Sequence, residues 1–318
     1  MHFVAVLYEK TARSFRRDPS RIDLRGYKAK TWVPAELARL ELPVHALAYA
    51  PCPTCRDVYL ERVAGVETPF TWERYKGKVV DFIYKRVHEI CAEYMTQCSA
   101  QTCNLLDELI GKQDELVEEA KNKFATDYGR IENPPAAKEA VGFYDSLKKI
   151  IRFEGELTSA TINFEIARNR SASPKRVFYE HFDFNTDYSL IPCHQGFSSP
   201  ATPDFIFKHK VIGDIKTGSW KEFFEFTAIA YALAYEDHTG QNMDYGVILN
   251  VDLPTRRLVP VHYKVGIQYL DDYRRKRFIA VRDRKLQILH RKTDPGKPAR
   301  EKCPSDCPFL GHCWNGGG

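Results

Sequence analysis

Two aspartates and a lysine stand within a short stretch with the pattern of a β-hairpin. Asp204 begins one apolar segment, and Asp214 and Lys216 lie in the next, with residues 208–210 between the two segments. If residues 208–210 form the turn, the register places Asp204 opposite Asp214, with Cβ atoms about 4.5–5.5 Å apart. Side chains alternate along a strand, so Asp214 and Lys216 share one face while Ile215 points to the other. The hairpin therefore brings two carboxylates and an ammonium group onto one surface.

Two carboxylates that face each other repel unless a cation lies between them. Mg²⁺ or Mn²⁺ suits this position, because hard cations prefer oxygen ligands and often keep water and substrate phosphates as further ligands. A metal-bound water beside a lysine suits phosphodiester hydrolysis, which needs a nucleophile and positive charge where the transition state becomes more negative. The alternative is a surface hairpin whose acids are solvated or paired with Lys216. We favour the metal site, because Asp214 lies inside an apolar strand and a buried helix follows it.

The nine cysteines supply a second group of candidate ligands. Cys303, Cys307 and Cys313 fall within eleven residues of a Pro-rich segment. Three cysteines so close together do not easily all fit in a core, so we expect three ligands of a four-ligand site, with the fourth from Cys52 or Cys55. Four thiolates can hold zinc or an iron–sulphur cluster. A triplet with one remote cysteine favours a cluster that joins distant parts of the chain.

The elements that must position these groups follow the order of an α/β fold. Residues 59–170 have helical patterning, and strand and helix patterns then alternate. The predicted elements after residue 170 are a strand at 176–184, strands at 203–207 and 211–216, a buried helix at 220–237, strands at 245–252 and 257–263, and a basic helix at 265–289. We therefore expect a mixed sheet flanked by helices. The chain divides into three parts. They are a mainly helical region 1–170 with the first ligand cysteine, a core 171–264 with the carboxylates, and a segment 265–318 with the basic helix and the cysteine triplet.

Charge is unevenly distributed along the chain. Its 318 residues carry a net charge of only +5, but residues 255–302 hold fifteen Lys and Arg against five Asp and Glu. Such a basic segment is typical of proteins that bind a polyanion. We expect Arg274, Arg275, Lys276 and Arg277 to contact DNA phosphates, with a solvated helix face as the alternative.

Other features restrict the class of protein. With 43% hydrophobic and 28% charged residues, the chain is typical of a globular enzyme rather than a disordered protein. We see no secretory signal and no apolar run of about 18 residues, so we expect a cytoplasmic protein without membrane contact. The sequence has no G-x4-G-K-[ST] motif, which argues against the use of ATP.

A known nuclease family combines motifs of this kind. Pro203-Asp204 together with Asp214-Ile215-Lys216 resembles the PD-(D/E)xK signature, which belongs to a restriction-endonuclease-like fold. Gly218 and Tyr231 resemble the RecB-like branch of that family, although Thr227 stands where the branch usually has Gln. The resemblance implies that Asp204, Asp214 and the backbone carbonyl of Ile215 hold Mg²⁺ or Mn²⁺ and that Lys216 positions the attacking water. It also implies that a helical histidine, His88, reaches the metal.

The cysteine segments extend this resemblance. A Cys-Pro pair at Cys52, a basic residue after Cys55 and the later triplet resemble the CRISPR-associated RecB-like nucleases, and most closely their archaeal type I-A branch. Those proteins have one cysteine before the core and three after it, which hold an iron–sulphur cluster. The resemblance implies a [4Fe–4S] cluster here that acts as a structural staple.

The function implied by the resemblance is a metal-dependent deoxyribonuclease, acting as an exonuclease on DNA during spacer acquisition. Its implied partners are a CRISPR integrase and other adaptation proteins. Two alternatives remain at this point. One is a non-catalytic iron–sulphur subunit that binds DNA, and the other is a zinc-stabilised scaffold for protein partners.

Overall fold

A mixed β-sheet carries the predicted hairpin. The computed structural model describes residues 1–11, 22–49, 52–98, 104–253, 261–303 and 307–314. Within these ranges five strands form one sheet in chain order: β1 Phe184–Asn185, β2 Phe205–Phe207, β3 Val211–Thr217, β4 Tyr245–Asp252 and β5 His262–Tyr269. Strands β3 and β4 are parallel, and the other neighbouring pairs are antiparallel. The expectation of a mixed sheet flanked by helices is confirmed.

Along the chain, helices precede the first strand, occur between strands and follow the last strand. They are α1 His2–Thr11, α2 Val44–Ala48, α3 Arg56–Val58, α4 Trp72–Gln97, α5 Leu105–Lys123, α6 Ala125–Gly129, α7 Ala137–Arg168, α8 Pro174–His181, α9 Phe224–Thr239, α10 Asp272–Arg291 and α11 Leu310–Trp314. Short 3₁₀ turns occur at Ile22–Leu24, Ala29–Thr31, Ala35–Leu37 and Arg300–Lys302, and a π turn at Tyr59–Val63. Across the described part of the chain, no helix combines the length and the apolar character that a bilayer crossing requires.

The hairpin between β2 and β3 has the predicted register. Phe205 pairs with Gly213 and Phe207 with Val211, around a turn at residues 208–210. A side chain at position 213 is excluded, because a Cβ there would lie 1.9 Å from the Phe205 ring. This close contact fixes β2 over the part of β3 that carries the candidate carboxylate.

The two faces of the sheet pack against different sets of helices. Phe205 and Ile215 belong to a core shared with α4, α5 and α7. Ile206 and Ile212 belong to a second core shared with α2, α9 and α10. Asp214 is two residues from Ile212 on the same strand, so it lies on the face that α9 covers. Helix α9 has apolar residues around most of its girth and is well buried, as predicted.

The prediction of a strand at residues 176–184 is wrong, because most of this segment is helix α8. The Ser173 side chain accepts a backbone hydrogen bond at the N terminus of α8, and Pro174 occupies its first position. Phe178 and Phe182, four residues apart, are both buried, which is the spacing of a helix face. Only the short strand β1 remains from the prediction.

The prediction of one helix over residues 265–289 is wrong at its first part. Residues 262–269 pair with β4 along their whole length as β5. Helix α10 begins only at Asp272, where the Asp271 side chain caps it by accepting the backbone N–H of Arg274. The apolar residues of the segment alternate in β5, and basic residues follow only after the cap.

A buried carboxylate joins three separate parts of the chain. Glu236 on α9 accepts hydrogen bonds from Arg25 at 2.7 Å and from Arg275 on α10 at 2.8 and 3.0 Å. The backbone N–H groups of Gly26 and Met243 complete its set of partners at 2.8 and 3.0 Å. Both arginines and Glu236 are at most 1% exposed. These bonds fasten the segment around Arg25 and α10 to the same point on α9.

Replacing Glu236 should destabilise the protein strongly. The Glu236→Gln variant leaves two buried guanidinium groups without their shared counter-charge, and we expect a loss of about 3–5 kcal/mol in the free energy of unfolding. Urea unfolding at pH 7 measures this loss. The control is Glu222→Gln, an exposed position, which we expect to change the free energy of unfolding by less than about 0.5 kcal/mol. Equal losses in both variants would contradict the structural role of Glu236.

Candidate active site

The predicted carboxylates and lysine come together at the end of the hairpin. Asp214 on β3 is 3% exposed, and its carboxylate forms an ion pair with Lys216 Nζ. Asp204 lies just before β2, and its Oδ2 accepts a hydrogen bond of 2.5 Å from the backbone N–H of Ile215. This bond fastens Asp204 to β3 between the two other members of the group. The side chain of Ile215 points into the core on the opposite face.

A third carboxylate, which the sequence patterns do not single out, joins this group. Asp81 on α4 forms an ion pair with Lys85 at 2.9 Å and interacts with Asp204. Its Oδ1 is buried and has no hydrogen-bond partner among the described residues. The available signal is Gly77, one turn earlier on α4. A Cβ at Gly77 would lie 3.5 Å from Thr217 Oγ1, so this face of α4 approaches the end of β3.

Burial and mutual repulsion change the protonation of these acids. Burial raises the pKa of Asp81 to about 7, and the charge of Asp204 adds to the rise against the opposing effect of Lys85. Burial also raises the pKa of Asp214 to about 7, with Lys216 opposing the rise and Asp204 adding to it. Burial by itself would lower the pKa of Lys216, but Asp214 and Asp204 outweigh it and raise that pKa. Lys216 therefore stays protonated beside acids that resist simultaneous ionisation.

Helix α9 adds a hydroxyl group to the site. Burial raises the pKa of Tyr231 well above its ordinary value, and repulsion from Asp214, Asp204 and Asp81 adds to the rise. Tyr231 thus remains protonated close to all three carboxylates. Thr227 lies one turn earlier on the same helix face and is 5% exposed. Position 227 is therefore enclosed in the fold, with a side chain shorter than the usual Gln.

The donor set fits a hard divalent cation. The group offers carboxylate oxygens, and Asp81 Oδ1 is buried without a partner among the described residues. Burial, together with repulsion from Asp204, raises the pKa values of Asp81 and Asp214, and a cation would offset both effects. The side chains do not have the spacing of a finished coordination shell. In the described ranges, no three His, Cys, Asp or Glu side chains are already grouped at metal-binding distance. The fit therefore depends on donor chemistry and electrostatics.

His88, the predicted metal-reaching histidine, lies in an aromatic cluster. Its Nδ1 is 3.1 Å from His2 Nε2. Its ring stacks on Phe178 at 5.8 Å between centroids and meets Phe184 edge-on at 5.6 Å. Burial lowers the pKa of His88 to about 4. On α4, the side chain that the structure brings to the carboxylate group is that of Asp81.

Four of the five candidate cysteines line one small cavity. They come from the loop after α2 and from the segment after α10, and they are Cys52, Cys303, Cys307 and Cys313. None of the four forms a disulfide. Burial raises the pKa of Cys307 to about 11. These side chains offer the sulphur donors of either zinc or an iron–sulphur cluster. In the described ranges no three of them are grouped at metal-binding distance, so the fit depends on donor chemistry.

Cys55 supports the loop that presents Cys52. It is 4% exposed and adopts a left-handed conformation with φ of 57°. Its backbone N–H donates to the carbonyl of Cys52 at 3.0 Å. Burial raises the pKa of the Cys55 thiol to about 11, with Lys285 nearby opposing the rise. The structure thus brings Cys52, rather than Cys55, to the cavity.

Arg56 connects the two segments that carry the cysteines. Its Nε and Nη2 bind the carboxylate of Asp294 at 2.6–3.0 Å. Its Nη1 donates to Cys313 Sγ at 3.2 Å. Donation of an N–H group to a ligand sulphur orients the ligand. Arg56 therefore fits a supporting role around a bound metal or cluster.

The cations predicted to contact DNA are unequally exposed. Arg275 is fully buried in the ion pair described above, so its charge serves the fold. Arg274 is partly buried and pairs with Glu225 at 3.3 Å. Arg277 pairs with the same glutamate at 3.6 Å. Lys276 and Arg277 are exposed.

Comparison with known proteins assigns the family. The family model described as CRISPR-associated exonuclease Csa1 matches residues 1–316. The chain belongs to this family. The match to the Csa1 family includes both the carboxylate hairpin and the cysteine segments, and it confirms the expectation of a CRISPR-associated nuclease family.

Two curated relatives bear the same description. The CRISPR-associated exonuclease Csa1 of Saccharolobus solfataricus is 26% identical over 263 residues, which covers 82% of each chain. That of Thermoproteus tenax is 31% identical over 83 residues, which covers 26% of this chain and 28% of the relative. No solved structure matches the chain.

Burial of His88 should contribute a loss of stability in acid to this Csa1-family protein. The folded-state pKa of His88 is about 4, below its ordinary value of about 6.5, so the unfolded chain takes up the proton first as the pH falls. The contribution of His88 to stability is then fully present above about pH 6.5 and is lost toward pH 4, by about 3 kcal/mol. The raised pKa values of Asp81 and Asp214 act in the opposite direction in every variant compared, so the prediction concerns the difference between variants. Urea unfolding at several pH values, in metal-free buffer, measures the effect.

The matched variants are His88→Asn, which should show a smaller loss of stability between pH 6.5 and 4, and His290→Asn at an exposed position, which should follow the wild type. An equally steep loss in His88→Asn and the wild type would contradict the prediction.

Proposed function

We propose that this protein is a divalent-metal-dependent deoxyribonuclease of the PD-(D/E)xK type that acts as an exonuclease. The observation that carries the proposal is the group formed by Asp81, Asp204, Asp214 and Lys216 at the end of the hairpin. Membership of a family whose curated members are named exonucleases supports it.

The residues of the site would have separate roles in phosphodiester hydrolysis. Asp204, Asp214 and Asp81 would hold Mg²⁺ or Mn²⁺, with the backbone carbonyl of Ile215 as a further oxygen. When bound, the cation supplies Lewis acidity and lowers the pKa of water. Lys216, kept protonated by its acidic neighbours, orients the attacking water and offsets negative charge on the phosphate in the transition state.

We propose further that Cys52, Cys303, Cys307 and Cys313 hold a [4Fe–4S] cluster with a structural role. The cavity that these four side chains line supports the assignment, and the Arg56 bond to Cys313 supports it independently. The cluster would join the loop after α2 to the segment after α10. Four thiolates also suit zinc, so the absorption spectrum of anaerobically purified protein decides between the two.

In the cell, we propose that the protein acts in the cytoplasm on DNA during CRISPR spacer acquisition, together with an integrase and other adaptation proteins. The family's printed description as CRISPR-associated supports this part of the proposal. A second candidate function, a DNA-binding subunit without catalysis, is favoured by one observation. Thr227 replaces the usual Gln, so this position on α9 has no amide group.

Removing a carboxylate from the metal group should abolish cleavage. We expect Asp214→Asn and Asp81→Asn each to lower the rate of DNA cleavage at least about 100-fold, since several kcal/mol of transition-state stabilisation depend on the metal. Release of labelled nucleotides from linear DNA in Mn²⁺ or Mg²⁺ measures the rate. His88→Asn should stay within about tenfold of the wild type, since its side chain lies in the aromatic cluster. Full activity in Asp214→Asn, or loss in His88→Asn alone, contradicts the site assignment.

Variants of Cys52 and Cys55 should show which of the two cysteines is a ligand and which only supports the loop. Cys52→Ser removes a side chain that lines the cavity, and we expect it to lose most of its bound iron. Cys55→Ser keeps all four lining thiols and should retain iron at close to the wild-type level. Iron content and absorbance near 400 nm after anaerobic purification measure both. The reverse order of loss would assign the fourth position to Cys55, and zinc without iron in the wild type would rule out the cluster.

A further inference from the structure

Three cationic side chains of helix α10 are buried inside the protein. Arg275, Arg282 and Lys285 are each fully buried. Arg282 donates to the carbonyl of Thr31 at 2.7 Å. Lys285 donates to the carbonyl of Ala46 at 2.7 Å. These charges hold the fold together, and they are unavailable to a partner.

Three other cations lie in the first half of α10, and two of them have acidic neighbours, while Lys276 is exposed. Arg274 and Arg277 both pair with Glu225. The groove beside Arg277 is also lined by Glu222. A phosphate that approached this end of α10 would meet two carboxylates, which weakens its attraction.

The second half of α10 and the residues after it form a different surface. A groove of about 460 Å³ is lined by Arg284, Gln287, Ile288, Arg291, Thr293, Asp294 and Pro295. Arg284, Arg291 and Lys292 are exposed, and none of them forms an ion pair with a carboxylate in the ranges that the structure describes. Further exposed cations follow at Lys297, Arg300 and Lys302. The acidic residue that lines the groove, Asp294, already forms an ion pair with Arg56.

The groove is fastened to the cysteine loop by three contacts. Arg284 Nη1 donates to the carbonyl of Pro53 at 3.1 Å. Thr54 Oγ1 donates to the carbonyl of Gly296 at 3.0 Å. The ion pair between Arg56 and Asp294 is the third contact. The cations are therefore presented on a rigid support beside the cysteine cavity.

We infer that this basic groove, lined by Arg284 and Arg291 and adjoined by the exposed Lys292, binds the sugar–phosphate backbone of the DNA substrate. The inference rests on the proposed nuclease function and moves the main DNA contact from the start of α10 to its end. Unpaired guanidinium and ammonium groups along a groove neutralise successive phosphates without reading bases. Binding should therefore be independent of sequence and strongly dependent on salt.

The test compares two matched triple variants in the Asp214→Asn background, which prevents cleavage. One carries Arg284→Gln, Arg291→Gln and Lys292→Gln, and the other carries Arg274→Gln, Lys276→Gln and Arg277→Gln. Fluorescence anisotropy of labelled duplex DNA gives the Kd at several salt concentrations. We expect the first triple to raise the Kd at least about tenfold and to reduce the salt slope by about 2–3, and the second to change the Kd about threefold or less.

Several outcomes overturn the inference. They are an equal or larger effect of the second triple, an unchanged salt slope in the first, and no DNA binding by the Asp214→Asn parent. If the first triple fails to fold, as judged by its circular dichroism melt, the single variant Arg291→Gln replaces it and should reduce the slope by about one. Failure of the proposed function is distinguishable, because a wild type that binds DNA through the groove but cleaves none supports the inference and contradicts catalysis.

Discussion

Repulsion among three clustered carboxylates is the constraint on which the candidate site depends. Asp81, Asp204 and Asp214 come from a helix, a loop and a strand. Burial, together with the nearby charge of Asp204, makes ionisation of Asp81 and Asp214 unfavourable. Lys216 and Lys85 compensate part of the charge. The remaining excess of negative charge is what a divalent cation would neutralise. The long α4, the close β2–β3 hairpin and the buried α9 are all needed to keep these groups together against that repulsion.

The basic segment shows that a positive net charge indicates an anionic partner only where the charged side chains are exposed. Residues 255–302 are strongly basic, yet Arg275, Arg282 and Lys285 are fully buried and bind carbonyls or carboxylates of other segments. Their role is to fasten the segments around Arg25 and Ala46 to the sheet layer. Buried cations of this kind are tolerated because each is fully hydrogen-bonded.

The sequence was sufficient to predict what short-range patterning controls. The hairpin, its register and the buried α9 follow from alternation and from apolar runs, and Gly213 fits under the Phe205 ring only in that register. Asp81 could not be predicted in this way, because its contact with Asp204 arises from the packing of α4 on β3, some 120 residues away in the chain. Residues 176–184 contain alternating aromatics, a pattern that favours a strand, but the Ser173 cap begins helix α8 in this segment.

The central claim is that one divalent cation binds between Asp81, Asp204 and Asp214. Anomalous diffraction at the manganese edge, from crystals grown with Mn²⁺, tests it most directly. We expect a single strong peak within about 2.0–2.6 Å of oxygens from all three carboxylates. A peak beside His88 without contact to Asp81, or no peak at the carboxylates in fully active protein, would contradict it.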